Sequence, residues 1–501
     1  MPDFHSRPVS ALQVAPRFHI PCGAFSSYPG PLVATTMADK PPTSHLRALI
    51  KSAAPKFAGA DLEPVPSARP QVHFFATASD ADVLMLSLSP RPTGLLRSER
   101  LLILSEALLL QWLSGPATET WPTHANDAAP HQTSPAARAK SIGNSHISRR
   151  PCRLLQQFLP RLVEHGMAGS ATHGEYILTR PVAGTVIAAL ANPLGRAERK
   201  SVDFQVGQLL RRISSQQSPN GKFGTAIAVL SSESTAPTLS RRRAAVPDHH
   251  LRHDRWSEAF LSLLEAALRD AEDFKVAIQY AAVRDQVSRF TRFLDAVTSP
   301  RLVAIDAGED TSTLVSPHPG PRVHENRQQN NQCIQPDGRR HDDSAFDTDI
   351  NRTSRSMAHP ERESIQVTGL RHWGNCIFGD PLLASVLSRN ASPEIWDGFQ
   401  SPLRDHEFEV PDMQPQPLED LRNAGVRRLL YECHHAVTAI VREYCRQCDD
   451  SDDREMPARR RLTQALRTLD SLDDSGKEKR PHPSGEMSPA KRPKSDGGGA
   501  G

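Results

Sequence analysis

The chain has 501 residues, enough for two or three domains, but 42 prolines, 5% aromatic residues and a mean hydropathy of -0.48 exclude a packed core along its whole length. Its 60 basic and 57 acidic residues leave a net charge of only +3, which excludes a global field that gathers nucleic acid. Seven scattered cysteines argue against a secreted disulfide framework, and no apolar run reaches the roughly 18 residues of a membrane span, so the expectation is a cytoplasmic protein with no membrane or nucleic-acid partner.

Residues 1–45 read as a disordered extension, because prolines at positions 2, 8, 16, 21, 29 and 31 interrupt any long amphipathic helix. Met37 is an alternative start. Val72 to Leu88 predicts a hairpin, two β-branched and aromatic runs around the polar stretch Ser79 to Asp82. Leu95 to Leu113 predicts a helix packed against it, with Glu99 and Glu106 on one face. Residues 114–150 have no period and read as a loop.

Leu154 to Gly166 has helical spacing and a glycine stop, and Glu175 to Ile187 reads as a strand broken at Pro181 and Gly184. Helices are then predicted over Lys200–Ser214, Trp256–Arg269 and Val283–Ala296. A short apolar strand from Arg301 opens into the acidic turn Asp306, Glu309, Asp310. Residues 316–363 lack the apolar content to fold alone and read as a disordered insertion. A strand ends at Leu370, a helical stretch follows near Pro381–Ser388, and a long amphipathic helix spans Leu418–Cys445. Beyond Cys448 the chain turns to charge, proline and glycine and reads as a mostly disordered tail, with one more helix conceivable over Arg459–Leu472.

The most informative segment is SIQVTGLRHWGNCIFGDPLLASV, Ser364 to Val386. It resembles a signature of the aminoglycoside phosphotransferase family, where a buried strand runs into Asp-Trp and a Gly-Asp-Pro follows with its Asp eight residues after the first. Gly379, Asp380 and Pro381 keep that spacing from His372, which therefore stands at the family's metal-binding Asp. The family's catalytic loop, His-x-Asp-x-x-x-x-Asn, is matched at Ala304, Asp306 and Thr311, where the Asp alone is retained.

The resemblance implies an α+β, bilobal, protein-kinase-like fold: a small β-rich N-lobe over 46–180, a mostly helical C-lobe over 181–447, and disordered insertions and tails, the last over 448–501. It implies ATP and magnesium as cofactors and a small-molecule hydroxyl as substrate. In that scheme Asp306 is the catalytic base, Glu106 the helix glutamate that pairs a phosphate-binding lysine, Asp380 a residue of the nucleotide site, and His372 the occupant of the metal position. No lysine lies between Lys56 and Lys140, so Met85 or Ser87 stands where that cation belongs. Magnesium prefers carboxylate oxygen, and imidazole suits other metals. The residues thus leave two readings open, a phosphotransferase with weak or lost transfer and a non-catalytic, pseudokinase-type binding or scaffolding protein.

Two further clusters stand out. Cys433, His434, His435, Cys445 and Cys448 offer thiolate and imidazole suited to zinc, but with a spacing that one helix spreads around its surface. Lys479 and Arg480 precede Lys491, Arg492, Pro493 and Lys494, a pattern similar to a bipartite import signal that docks on an import receptor and leads to the nucleus.

Overall fold

A computed structural model describes residues 43–67, 69–78, 82–89, 94–115, 153–167, 174–231, 252–318, 364–389, 391–403 and 416–479. The expected loop at 114–150, the insertion at 316–363 and the extension at 1–45 lie almost wholly outside them. The chain is α+β, with an antiparallel sheet in its N-terminal region and helices dominating the rest. No helix among the described residues is long and apolar enough to cross a membrane.

The N-terminal sheet has the order β1-β2-β3-β5-β4, built from β1 (Asp61–Val65), β2 (Val72–Thr77), β3 (Val83–Leu88), β4 (Arg161–Met167) and β5 (Glu175–Arg180). The expected hairpin is β2 and β3, with Val72 opposite Leu88 and Thr77 opposite Val83. One sheet face is covered by helix α1 (Thr43–Ala53), whose Leu46 and Ile50 join Phe74, Leu84, Leu86 and Leu178 in a small core. The other face receives α2 (Leu102–Leu113), which carries Ile103, Leu109 and Leu110 into the main core of the molecule. A helix apolar on most of its circumference fits this position between sheet and core.

The helix read over Leu154–Gly166 is instead one short turn, α3 (Arg153–Gln156), followed by β4. Pro160 has no amide to continue a helix. From Arg161 on, exposed and half-buried residues alternate, the period of a strand with one face on a core.

The C-terminal region starts with β6 (Thr185–Val186) and α4 (Arg196–Ser214), then β7 (Gly224–Thr225), α5 (Ala226–Leu230) and α6 (Trp256–Asp273). The helix expected over Val283–Ala296 is two, α7 (Tyr280–Arg289) and α8 (Thr291–Asp295), broken at Phe290, which leaves helical geometry as its ring enters the core. Strands β8 (Arg301–Ala304), β9 (Thr313–His318), β10 (Ser364–Leu370) and β11 (Cys376–Gly379) come next, then α9 (Ser385–Ser388), α10 (Pro393–Gln400), α11 (Ala424–Cys445) and α12 (Ser451–Ser471).

The expectation of a mostly disordered tail from 448 is corrected here. Ala458, Leu462, Ala465, Leu466 and Leu469 form an apolar stripe on α12 that is buried against α11. Arg454 to Glu443, at 3.0 and 2.7 Å, and Arg461 to Glu432, at 2.8 Å, flank the contact. The charge of this stretch is the solvated face of a packed helix, not the mark of a free chain. Residues 480–501, with most of the basic pattern, lie outside the described set, and Lys479 Nζ donates to the Asp470 carbonyl at 2.6 Å.

Two antiparallel pairs position the site. Strand β8 lies against β11, with Ala304 opposite Cys376, and β9 lies against β10, with Thr313 opposite Leu370. The two connecting turns, 305–312 and 371–375, are therefore forced side by side. Backbone bonds from Ile305 N–H to the Asn375 carbonyl, 3.1 Å, and from Arg371 N–H to the Ser312 carbonyl, 2.9 Å, fasten them.

Candidate functional site

The two turns form the floor of a cleft of about 150 Å³, closed above by the β1–β2 connection and the start of α2. Asp306 and His372 both line it, so the two residues that the sequence required to meet do so.

Asp306 lies in the turn that follows β8, and its carboxylate is partnered there. Asn375 Nδ2 lies 3.0 Å from each of its carboxylate oxygens, and the Arg69 guanidinium forms an ion pair with Oδ2. Arg69 comes from the β1–β2 connection, the segment that faces the floor from the N-terminal sheet. Arg371 steadies that segment by donating to the Pro66 carbonyl at 3.2 Å. Thr311, at the family's Asn position, is exposed at the rim, and the amide that Asp306 holds comes from the other turn. Gly308 takes φ +90°, a value an L side chain resists, which lets the turn close.

His372 is buried and stacks on His73 of β2, ring centroids 4.4 Å apart. His73 Nδ1 in turn bonds the Ser87 hydroxyl at 2.7 Å. Ser87 is one of the two β3 positions that the resemblance assigns to a phosphate-binding cation; here it belongs to a neutral Ser–His–His chain. Burial first, then the charges of Arg371 and Arg69, hold the His73 imidazole down at about 3. Burial, then His73, holds His372 well below the usual imidazole range. Both rings are neutral at physiological pH.

Glu106 stands on α2 at the back of the same region. Its Oε1 accepts the backbone N–H of Trp373 at 3.1 Å, which ties the helix to the residue after His372. Burial pushes its carboxyl up to about 7, against the pull of Arg69. Among the described residues no lysine pairs with it.

Asp380, the residue expected in the nucleotide site, is buried at the end of β11. It does not line the cleft. It caps the turn Pro381–Leu383 by accepting Leu382 N–H at 3.1 Å, and it accepts Arg427 Nε and the Tyr431 hydroxyl, both at 2.8 Å. Tyr431 itself accepts from Trp256 Nε1 at 2.7 Å. The Gly-Asp-Pro aspartate thus fastens β11 to α11 and α6.

The cysteines and histidines of α11 are dispersed, as a single helix requires. Cys433 is buried in the core, His435 Nε2 lies 2.9 Å from the Leu383 carbonyl, and Cys445 Sγ contacts the Gly94 carbonyl at 3.0 Å. Among the described residues no three His, Cys, Asp or Glu side chains are grouped to hold a metal ion.

Magnesium does not fit the residues present. The ion needs carboxylate oxygens in a tight octahedron; here the residue that the resemblance assigns to the metal is a neutral, stacked imidazole, and both oxygens of Asp306 are engaged by Asn375 and Arg69. Arg69, Asn375 and His73 were missed in the sequence. Asn375 lies inside the quoted signature, three residues past His372, but Arg69 sits in a loop with no motif, and only the folded sheet brings it over Asp306.

No family model matches the sequence, and no curated protein matches it. Among solved structures, the chain is similar to a candidate aminoglycoside phosphotransferase from Ralstonia eutropha, with 10% identity, 86% of this chain and 99% of that chain covered, and a TM-score of 0.43. A GDP complex of wild-type aminoglycoside 2'-phosphotransferase-IIIa shows 12% identity, coverages of 85% and 98%, and a TM-score of 0.40. A candidate fructosamine-3-kinase from Thermobifida fusca shows 11% identity, coverages of 84% and 98%, and a TM-score of 0.41. At these values the functional reading rests on the cleft's own residues.

Proposed function

We propose that this chain is a phosphotransferase-like protein whose cleft holds a small molecule without metal-assisted phosphoryl transfer, a binding or scaffolding relative of small-molecule kinases. The observation that carries this reading is the Arg69–Asp306 ion pair across the cleft beside a neutral His372. In phosphoryl transfer the protein supplies position and charge neutralisation, and a metal clamp contributes several kcal/mol of transition-state stabilisation. Here a guanidinium stands on the acid that would take the substrate proton, an imidazole stands where the resemblance puts the metal carboxylate, and among the described residues no lysine pairs with Glu106.

The deciding experiment is thermal unfolding of the full chain titrated with ATP and magnesium. The expected result is no saturable rise in midpoint at millimolar nucleotide. A saturable rise of several degrees that needs magnesium overturns the proposal, because a ligand at a hundred times its dissociation constant adds about 2.7 kcal/mol to stability.

A further inference from the structure

The deep wall of the cleft carries unmatched groups that the comparison with kinases does not use. His434, Thr438 and Arg442 stand at i, i+4 and i+8 on α11, one above another on one helix face, and all three line the cavity. His434 is 9% exposed, yet its Nδ1 has no hydrogen-bond partner, and neither has Thr438 Oγ1, although both atoms are buried. A buried polar atom left unmatched costs about 1–3 kcal/mol. Two of them, one turn apart on residues that line the same cavity, leave this wall with unused hydrogen-bonding capacity beside the space a ligand would occupy.

The charge around them has a sign. The rim acids are neutralised locally: Glu99 is held by Arg446 at 2.6 and 2.7 Å, and Asp270 by Arg97 at 2.6 Å. Arg69 and Asp306 neutralise each other. Arg389 stands 3.7 Å from Glu309 and 3.8 Å from Glu432, both beyond a hydrogen bond, and Glu432 is already held by Arg461 at 2.8 Å. Among the described residues no carboxylate pairs with Arg442. Burial and the neighbouring Asp306 hold the Glu309 carboxyl above the usual carboxylate range, which reduces the negative charge it sets against Arg389.

We propose that this wall binds a small organic anion, its carboxylate or phosphate group on Arg442 and Arg389 and its polar body against Thr438 and His434. This deepens the reading above by naming the ligand class of the same cleft. Arg442 is exposed at the mouth while His434 is buried, so the charged end of the ligand faces outward. The cavity, about 150 Å³, has room for on the order of ten waters, which suits a metabolite-sized molecule. Guanidinium groups favour such ligands because their planar forks match carboxylate and phosphate oxygens.

The test uses the full chain with chelator present and no magnesium, titrated with inorganic phosphate, phosphoserine and citrate by calorimetry and scanning fluorimetry. Sodium chloride of matched ionic strength sets the baseline, and spermidine serves as the cationic control. Saturable binding of at least one anion is expected, weakened tenfold or more by Arg442→Gln and several-fold by Thr438→Val, with spermidine silent. Arg442 is exposed, so its variant folds, and the unliganded midpoints report whether the Thr438 variant does. No binding by any of the anions, binding indifferent to both substitutions, or binding of spermidine instead, overturns the assignment. A magnesium-dependent ATP response that survives Arg442→Gln sinks the non-catalytic reading and leaves this one to its own outcome.

Discussion

In an active kinase-like site the helix glutamate is an anion held by a lysine, whereas here Glu106 is 5% exposed and held by one backbone N–H. The substitution Glu106→Gln separates the two situations. Burial raises the Glu106 carboxyl from 4.5 to about 7. Between those values the folded protein binds a proton that the unfolded chain does not. The stabilisation from that proton is complete below pH 4.5 and lost as pH rises through about 7. A shift of about 2.5 units at ~1.36 kcal/mol each corresponds to about 3 kcal/mol of destabilisation above neutrality. Glutamine keeps the acceptor for Trp373 N–H and carries no charge. The stability difference, variant minus wild type, is therefore expected to rise by about 3 kcal/mol between pH 4.5 and pH 8, so that the variant gains on the parent in alkali. Urea unfolding at several pH values measures it. A difference that stays flat across this range, or a variant that falls behind the parent at pH 8, refutes the assignment of Glu106 as a carboxyl without a cation.

The remaining expectations concern the anchors and the cleft. Arg427→Met leaves Asp380 buried without its guanidinium and is expected to cost about 3–5 kcal/mol by denaturant unfolding, whereas the double variant Asp380→Leu, Arg427→Met costs far less, because replacing a whole buried pair is often neutral; equal losses in both speak against Asp380 as a structural anchor. Gly398→Ala and Gly207→Ala each push a methyl into backbone, at 2.0 Å from the Phe204 carbonyl and 2.1 Å from the Ile395 carbonyl. Each is expected to cost at least ~1–3 kcal/mol through overpacking of α4 against α10, and a midpoint unchanged from wild type contradicts that close approach. His372→Asp alone is expected to bring no magnesium-dependent ATP response while Arg69 holds Asp306, and the double variant Arg69→Ser, His372→Asp is expected to show one; a response in the single variant places His372 at the metal position but removes the obstructing role of Arg69.

The legible part of this protein was what local period and short-range spacing encode. The β2–β3 hairpin and α2 follow from alternation and apolar runs, and the meeting of the turn at Asp306 with the turn at His372 follows from the family resemblance. The strand β4 was hidden because LLQQFLPRLVEHG satisfies a helical period until Pro160, and its sheet partner β5 lies beyond residues 168–173, out of reach of local pattern. Helix α12 was hidden by its own charge, since its apolar stripe gains meaning only against α11. Among the residues named from the motifs, Asp306 and His372 line the cleft and Glu106 and Asp380 do not. Motif spacing fixes where a residue lies along a strand, but the partner that decides its role, Arg69 for Asp306 or Arg427 for Asp380, comes from 237 and 47 residues away.

The arrangement at the cleft floor follows from charge balance. A carboxylate such as Asp306, partly withdrawn from water, needs a neutralising charge, and in a magnesium-dependent site the ion supplies much of it. With imidazole at position 372 that source is weak, because the ring is neutral and too deeply buried to gain a proton. Arg69 supplies the charge instead, and Asn375 fills the remaining acceptor directions. The same guanidinium lowers the affinity of both histidines for protons, which keeps the His73–His372 stack free of like charge. Arg69, His73 and His372 therefore act as one unit: an acid placed at 372 while Arg69 remains is expected to pair with the guanidinium rather than to hold a metal ion. On this ground the two substitutions are expected to be non-additive, and nucleotide binding, if it returns, returns only when both are made.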